Sequence, residues 1–217
     1  MPLRIVSLTI LCLLAAPAAA QVLYDDGPII GTNDAWTINF GYVISDTFTL
    51  LNNSTVTGFN FGVWEFPGDV LTSVDWSITS MENGGTLLAS GTAKGANLTD
   101  QFISLNQYGY DIDKITVTGL EVNLSGTTYW LNLQNAVVPS GDPVYWDENS
   151  GIGCTGDDGK GGGCPSHPSG NFVGSIPPES FDVNGSVNGG TVPEPASWTL
   201  LATGTLGVIG WLGRKLW

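Results

Sequence analysis

The chain has 217 residues, with 20 Asp and Glu against 6 Lys and Arg, a formal net charge of −14 at pH 7. So acidic a chain repels nucleic acid, whose binders need basic faces. The balance fits a soluble exported surface protein, or one that gathers divalent cations.

In chain order, Arg4 supplies a positive start, Ile5 to Leu14 an apolar core, and Ala18-Ala19-Ala20 an A-x-A cleavage site before Gln21. This is the layout of a secretory signal peptide over 1–20, removed after Ala20. Its apolar core falls short of the roughly 20 residues that a membrane span needs. Cys12 follows the bulky pair Ile10-Leu11, where a lipoprotein site wants small residues, so lipidation is not expected.

The mature body, 21–183, is expected to be one all-β domain, because apolar residues repeat with period two. Thr47 to Leu50 is one short run. In Val56 to Phe66, Phe59, Phe61 and Val63 share a face while Asn60, Gly62 and Trp64 take the other. Val74, Trp76 and Ile78 share a face, with Asp75, Ser77 and Thr79 opposite. Asn83-Gly84-Gly85 supplies the positive dihedrals of a tight hairpin, and Thr86 to Thr92 runs back. Phe102 to Leu105, Ile112 to Thr118 and Thr127 to Leu133 continue the pattern. Short strands separated by Gly, Asn and Asp point to an antiparallel β-sandwich or jelly roll.

From Ser140 to Gly174 the texture turns to Gly, Asp, Pro and Cys, which reads as a long surface excursion. Once the signal is removed, Cys154 and Cys164 remain, and an oxidising compartment makes a disulfide the default. Closing so short a loop is worth roughly 2–3 kcal/mol. Glu179 to Val183 reads as a last strand, and residues 184–191 as a flexible linker.

The last segment has three parts: Val192-Pro193-Glu194-Pro195, an apolar stretch from Ala196 to Gly213, and the basic pair Arg214-Lys215 before Leu216-Trp217. The apolar stretch is just long enough for a transmembrane helix over 196–213. Trp198 and Trp211 stand near its ends as interfacial anchors do, and Arg214 and Lys215 fall on the cytoplasmic side. This tail, 192–217, resembles the PEP-CTERM sorting domain of Gram-negative bacteria, which is read by a membrane transpeptidase, exosortase. The resemblance implies that Pro193, Glu194 and Pro195 are recognition residues. It also implies an inner-membrane-anchored precursor, cut near them and passed to the cell surface, outer envelope or extracellular matrix. The body resembles a recurrent PEP-CTERM ectodomain type through Ser45-Asp46-Thr47-Phe48, Gly62-Val63-Trp64, Ser73 to Ile78, Thr128 to Leu131 and Tyr145-Trp146-Asp147. That type brings no general biochemical activity with it.

Few constellations carry chemistry. His167, the only His, lies in a Pro- and Gly-rich loop, and its neighbour Ser166 is no evidence of a triad. A glycosidase needs two carboxylates about 5–10 Å apart, and Glu65, Asp69, Asp75, Glu121, Asp147 and Glu148 are candidates that chance alone could pair. Flat aromatics suit sugar rings, and Trp64, Trp130 and Trp146 are the candidate carbohydrate-binding residues; the competing reading is that these indoles are buried. Asp142, Asp147, Glu148, Asp157 and Asp158 are the candidate ligands of a structural calcium, although no EF-hand spacing is present. Asn52, Asn53, Asn97, Asn123 and Asn184 head N-x-S/T sequons, common by chance in so Ser/Thr-rich a chain. No catalytic residue or other cofactor is assigned. The expected protein is a non-enzymatic structural or adhesive component of exopolysaccharide or biofilm. The alternatives are a carbohydrate-binding module and a secreted glycoside hydrolase.

Overall fold

A computed structural model describes residues 20–149, 169–171 and 174–189. The signal peptide, Cys154, Cys164, Asp157, Asp158, His167, the sorting residues Pro193, Glu194 and Pro195, the apolar span and Arg214 and Lys215 lie outside the described residues. Among the described residues no helix is long and apolar enough to cross a membrane.

The longer strands arise where the period-two pattern predicts them. β1 (Gln21–Asp25), β2 (Asp34–Thr37), β3 (Val43–Thr49) and β4 (Ser54–Glu65) come first. β5 (Ser73–Met81) and β6 (Gly84–Lys94) form the hairpin, in whose turn Asn83 has φ 37°. A 3-10 turn at Gly95–Asn97 leads to β7 (Leu98–Leu105), β8 (Asp111–Leu124), β9 (Thr128–Val137) and β10 (Tyr145–Glu148). The two-residue strands β11 (Ser169–Gly170) and β12 (Gly174–Ser175) precede β13 (Phe181–Val187).

All pairings between these strands are antiparallel, and β4 is the hub of one sheet. One edge of β4 pairs with β8 along its length, and β7 lies beyond β8. Its other edge is divided: β13 takes Ser54 to Phe61, with β1 beyond, and β10 takes Val63 and Trp64, with β2 beyond. The second sheet runs β12-β11-β3-β9-β5-β6.

The inner faces meet in one core. Phe59, Phe61 and Val63 of β4 and Ile115 and Val117 of β8 join Ile44, Phe48, Val74, Ile78, Leu131 and Leu133 of the second sheet. Phe59 meets Trp76 edge-on across the layers at 6.0 Å, and Tyr24 reaches Phe48 at 6.3 Å. The molecule is therefore two antiparallel sheets packed face to face, as the alternation implies.

Two boundaries differ from the sequence reading. The excursion expected over 140–174 contains β10, because Val144 and Trp146 are wholly buried and carry that stretch into the sheet. The expected linker at 184–191 begins late: Asn184 to Val187 complete β13, and the Asn188 N–H donates to the Asn53 carbonyl at 2.8 Å.

Candidate functional site

The split edge of β4 helps to create a concavity lined by aromatic rings. Register sets Trp64 beside Tyr145 on one side and Ile112 on the other, all on the outer face of the first sheet. Tyr108 and Tyr110 come from the turn between β7 and β8. There the Asn106 side-chain oxygen accepts the N–H groups of Tyr108 (2.9 Å) and Tyr110 (3.0 Å), an Asx-type arrangement that adds to the turn's backbone bonds. Tyr108 stacks on Trp64 with ring centroids 5.7 Å apart at 23°, and Tyr110 meets Tyr145 edge-on at 5.7 Å. Phe66 closes the aromatic group against Tyr110 at 5.1 Å. The resulting cleft, about 450 Å³, is lined by Trp64, Tyr108, Tyr110 and Tyr145 with Asn33, Asp34 and Ala35 at its polar side. Burial and the Tyr110 hydroxyl hold the Tyr145 phenol above its usual range.

Asp147 holds the floor of this cleft. Its carboxylate accepts the Trp64 indole N–H at 2.6 Å, the Gly31 N–H at 2.9 Å, the Ile30 N–H at 2.9 Å and the Ser180 hydroxyl at 3.2 Å. Burial pushes this carboxyl up, and the four donors pull against that. The loop that brings Ile30 and Gly31 over the sheet needs glycine at 31: φ is +63°, and a Cβ there would come within 2.6 Å of Ile112. Trp64 thus has a fixed orientation and is only 6% exposed, whereas Tyr108 is 57% exposed and offers the free ring.

The three tryptophans named from sequence are therefore not one platform. Trp64 lines the cleft. Trp130, paired with Thr47 and Thr79, is half-buried on the outer face of the other sheet, since its neighbours Tyr129 and Leu131 fill the core. Trp146 is wholly buried, edge-on to Phe61 at 6.1 Å and Phe181 at 5.7 Å, with its N–H on the Ser180 carbonyl at 3.0 Å. A sugar cannot reach it.

The described calcium candidates, Asp142, Asp147 and Glu148, do not converge on one point. Asp147 spends its carboxylate on four donors, and Glu148, the next strand residue, turns to the opposite face. Asp142 stands apart, with its main-chain carbonyl accepting from Asn39. Among the described residues no three His, Cys, Asp or Glu side chains already stand as a ready metal cage. Of the glycosidase candidates, Asp75 accepts from Thr92 and Asn135 on the surface, and Glu121 is exposed. Among the described residues Asp34 is the only acid in the cleft lining.

Two groups of buried acids were not foreseen. At one, the Glu179 N–H donates to Asp46 at 3.0 Å, Tyr24 donates to Asp26 at 2.6 Å, and burial, with Asp26 bearing on Asp46 and Asp46 on Glu179, drives Asp46 and Glu179 well up. At the other, burial and the acids around it push Glu65 up to about 9, and burial with Asp100 and Asp111 pushes Asp113 up to about 7. Both groups hold protons in the native state that they release when unfolded. Stability from this source is complete below the ordinary carboxylate range and is lost as pH rises towards 7 for Asp113 and 9 for Glu65. Thermal denaturation in chelator-containing buffer should accordingly show a lower midpoint at pH 8.5 than at pH 5.5. An equal or higher midpoint at pH 8.5 would show that these groups do not bind protons on folding.

With the body described, the C-terminal segment takes on its meaning. Residues 191–215 match the family model of the PEP-CTERM protein-sorting motif. The chain carries a PEP-CTERM sorting motif. The motif marks it for export and for handling by an exosortase-type membrane enzyme, with a membrane-associated sorting signal at the C-terminus. A search among curated proteins found no match to the chain.

Proposed function

We propose that this PEP-CTERM protein is a non-enzymatic surface or matrix component whose sandwich holds extracellular polysaccharide in the Trp64–Tyr108–Tyr110–Tyr145 cleft. The observation that carries the reading is the chemistry of that cleft. Aromatic rings give apolar faces to the C–H surfaces of a sugar, while Asn33, Asp34 and the Tyr hydroxyls offer hydrogen bonds to its rim. Its volume, about 450 Å³, suits a few sugar units rather than a macromolecular surface. That Asp34 is the one acidic residue among the described lining residues favours binding over glycoside hydrolysis, which needs an acid on each side of the scissile bond. Delivery by the sorting tail would set the cleft among the glycans of the envelope or matrix.

A glycan-array screen of the full-length protein in detergent tests this. Selective binding to a subset of glycans is expected, and it should fall by roughly tenfold or more in Tyr108→Ala, which removes the exposed stacking ring. Absence of binding, or binding indifferent to Tyr108, contradicts the reading.

A further inference from the structure

The second acidic group, unrelated to the cleft's sugar chemistry, is placed by register alone. β4 pairs Glu65 with Asp111 and Val63 with Asp113 of β8, while β7 sets Asp100 against Ile115. Val63 and Ile115 are core residues, so Glu65, Asp113 and Asp100 fall by the same period of two on the inner face, at one end of the sandwich. Three carboxylates at its margin each engage one donor: Asp100 takes the Leu71 N–H at 2.6 Å, Asp111 the Gly68 N–H at 3.0 Å, and Asp69 the Ser140 hydroxyl at 2.6 Å. Thus the loop between β4 and β5 folds over the group.

At the centre the bonding fails. Glu65 is 0% exposed and neither of its carboxylate oxygens has a hydrogen-bond partner; the Asp113 Oδ2 is likewise buried and unpartnered. The charges that bear most on Glu65 are Asp100, Asp113, Asp69 and Asp111, all negative. A proton on Glu65 would remove its charge but leave a hydroxyl and a carbonyl still unsatisfied. A hard divalent cation answers both deficits at once, because it supplies charge and binds oxygen.

We propose that Glu65 and Asp113 are the direct ligands of a calcium-class cation, with Asp100 and Asp111 as outer acids that draw it in. Three acids are not already closed around one point, so main-chain oxygens and water complete the shell. Calcium accepts such irregular sets of 6–8 oxygens, whereas magnesium demands a near-ideal octahedron. Two direct carboxylates correspond to the weak, extracellular class of site, with Kd about 10⁻⁴–10⁻³ M. The ion would pin the inner face at the point where the neighbouring residues, Trp64 and Phe66, turn outwards into the cleft.

The test is calorimetric titration of the full-length, metal-stripped protein with calcium chloride, alongside thermal denaturation. One calcium should bind with that affinity, magnesium much more weakly, and 10 mM calcium should raise the midpoint by roughly 4–8 °C. Glu65→Gln and Asp113→Asn should each abolish the calcium response. Each should also shrink the drop in midpoint between pH 5.5 and pH 8.5 in the metal-free protein, since a carboxyl that binds a proton on folding is gone. Glu179→Gln, in the other buried group, should keep the response. The proposal is overturned if the wild-type protein shows no calcium heat and no shift. It is equally overturned if the shift survives in both Glu65→Gln and Asp113→Asn, or disappears in Glu179→Gln. Should Glu65→Gln fail to fold, Asp113→Asn decides alone.

Discussion

Asp147→Ala is expected to destabilise the sandwich by about 4 kcal/mol, among the larger effects of any single substitution in it. The carboxylate takes two main-chain N–H groups, an indole N–H and a hydroxyl, and three different segments depend on it. Removing it leaves these donors without an acceptor in a buried site, at about 1–3 kcal/mol for each that finds no substitute. Asp147→Asn should cost less but remain clearly destabilising, because an amide offers one acceptor oxygen where two are used. Urea denaturation of the three proteins gives the comparison. A change below about 1 kcal/mol for Asp147→Ala would mean that water replaces the carboxylate readily and that it does not organise the cleft floor.

Trp146→Ala should cost a similar amount, about 3–5 kcal/mol, through the cavity left in a core that cannot fully collapse. The indole lies between Phe61 and Phe181 and spends its N–H on the Ser180 carbonyl, so packing and a hydrogen bond are lost together. Trp130→Ala, on the outer face of the opposite sheet, should cost much less. Denaturation midpoints of the two variants separate these roles. Equal losses would contradict the assignment of Trp146 to the core and Trp130 to the surface.

The contrast between these two tryptophans shows what was legible in the sequence. Alternation located β4, β5, β8 and β9, and it correctly set Phe59, Phe61 and Val63 opposite Trp64. A run of four residues such as β10 is too short to show its period, so Trp146 looked like part of a polar loop. Its burial follows from pairing with β2 and β4, residues distant in sequence. Tyr108, Tyr110 and Tyr145 were not singled out as site residues for the same reason: they reach Trp64 only once β8 has paired with one edge of β4 and β10 with the other. One local signal was available, since Tyr108-Gly109-Tyr110 places two large rings in a turn.

The acids were partly legible too. Extending the inward series Phe59, Phe61, Val63 by two residues arrives at Glu65, and Asp113 precedes Ile115 and Val117 in the same phase. A carboxylate at an apolar phase position is a local inconsistency of the kind that marks functional or strained sites. The candidate set Asp142, Asp147, Glu148, Asp157 and Asp158 was instead chosen by nearness in sequence, and adjacent strand residues such as Asp147 and Glu148 face opposite ways. The tail needed no fold to be read, because length, apolarity and flanking charge carry its message in one dimension.

The claim that the cleft binds glycan is tested most directly by equilibrium titration with an oligosaccharide selected on the array. Wild type, Tyr108→Ala and Trp130→Ala should be compared, with folding of each checked by its denaturation midpoint. The account predicts roughly tenfold or greater weakening for Tyr108→Ala and unchanged affinity for Trp130→Ala. Unchanged affinity for Tyr108→Ala, with binding lost in Trp130→Ala, would contradict it and move the site to the opposite sheet.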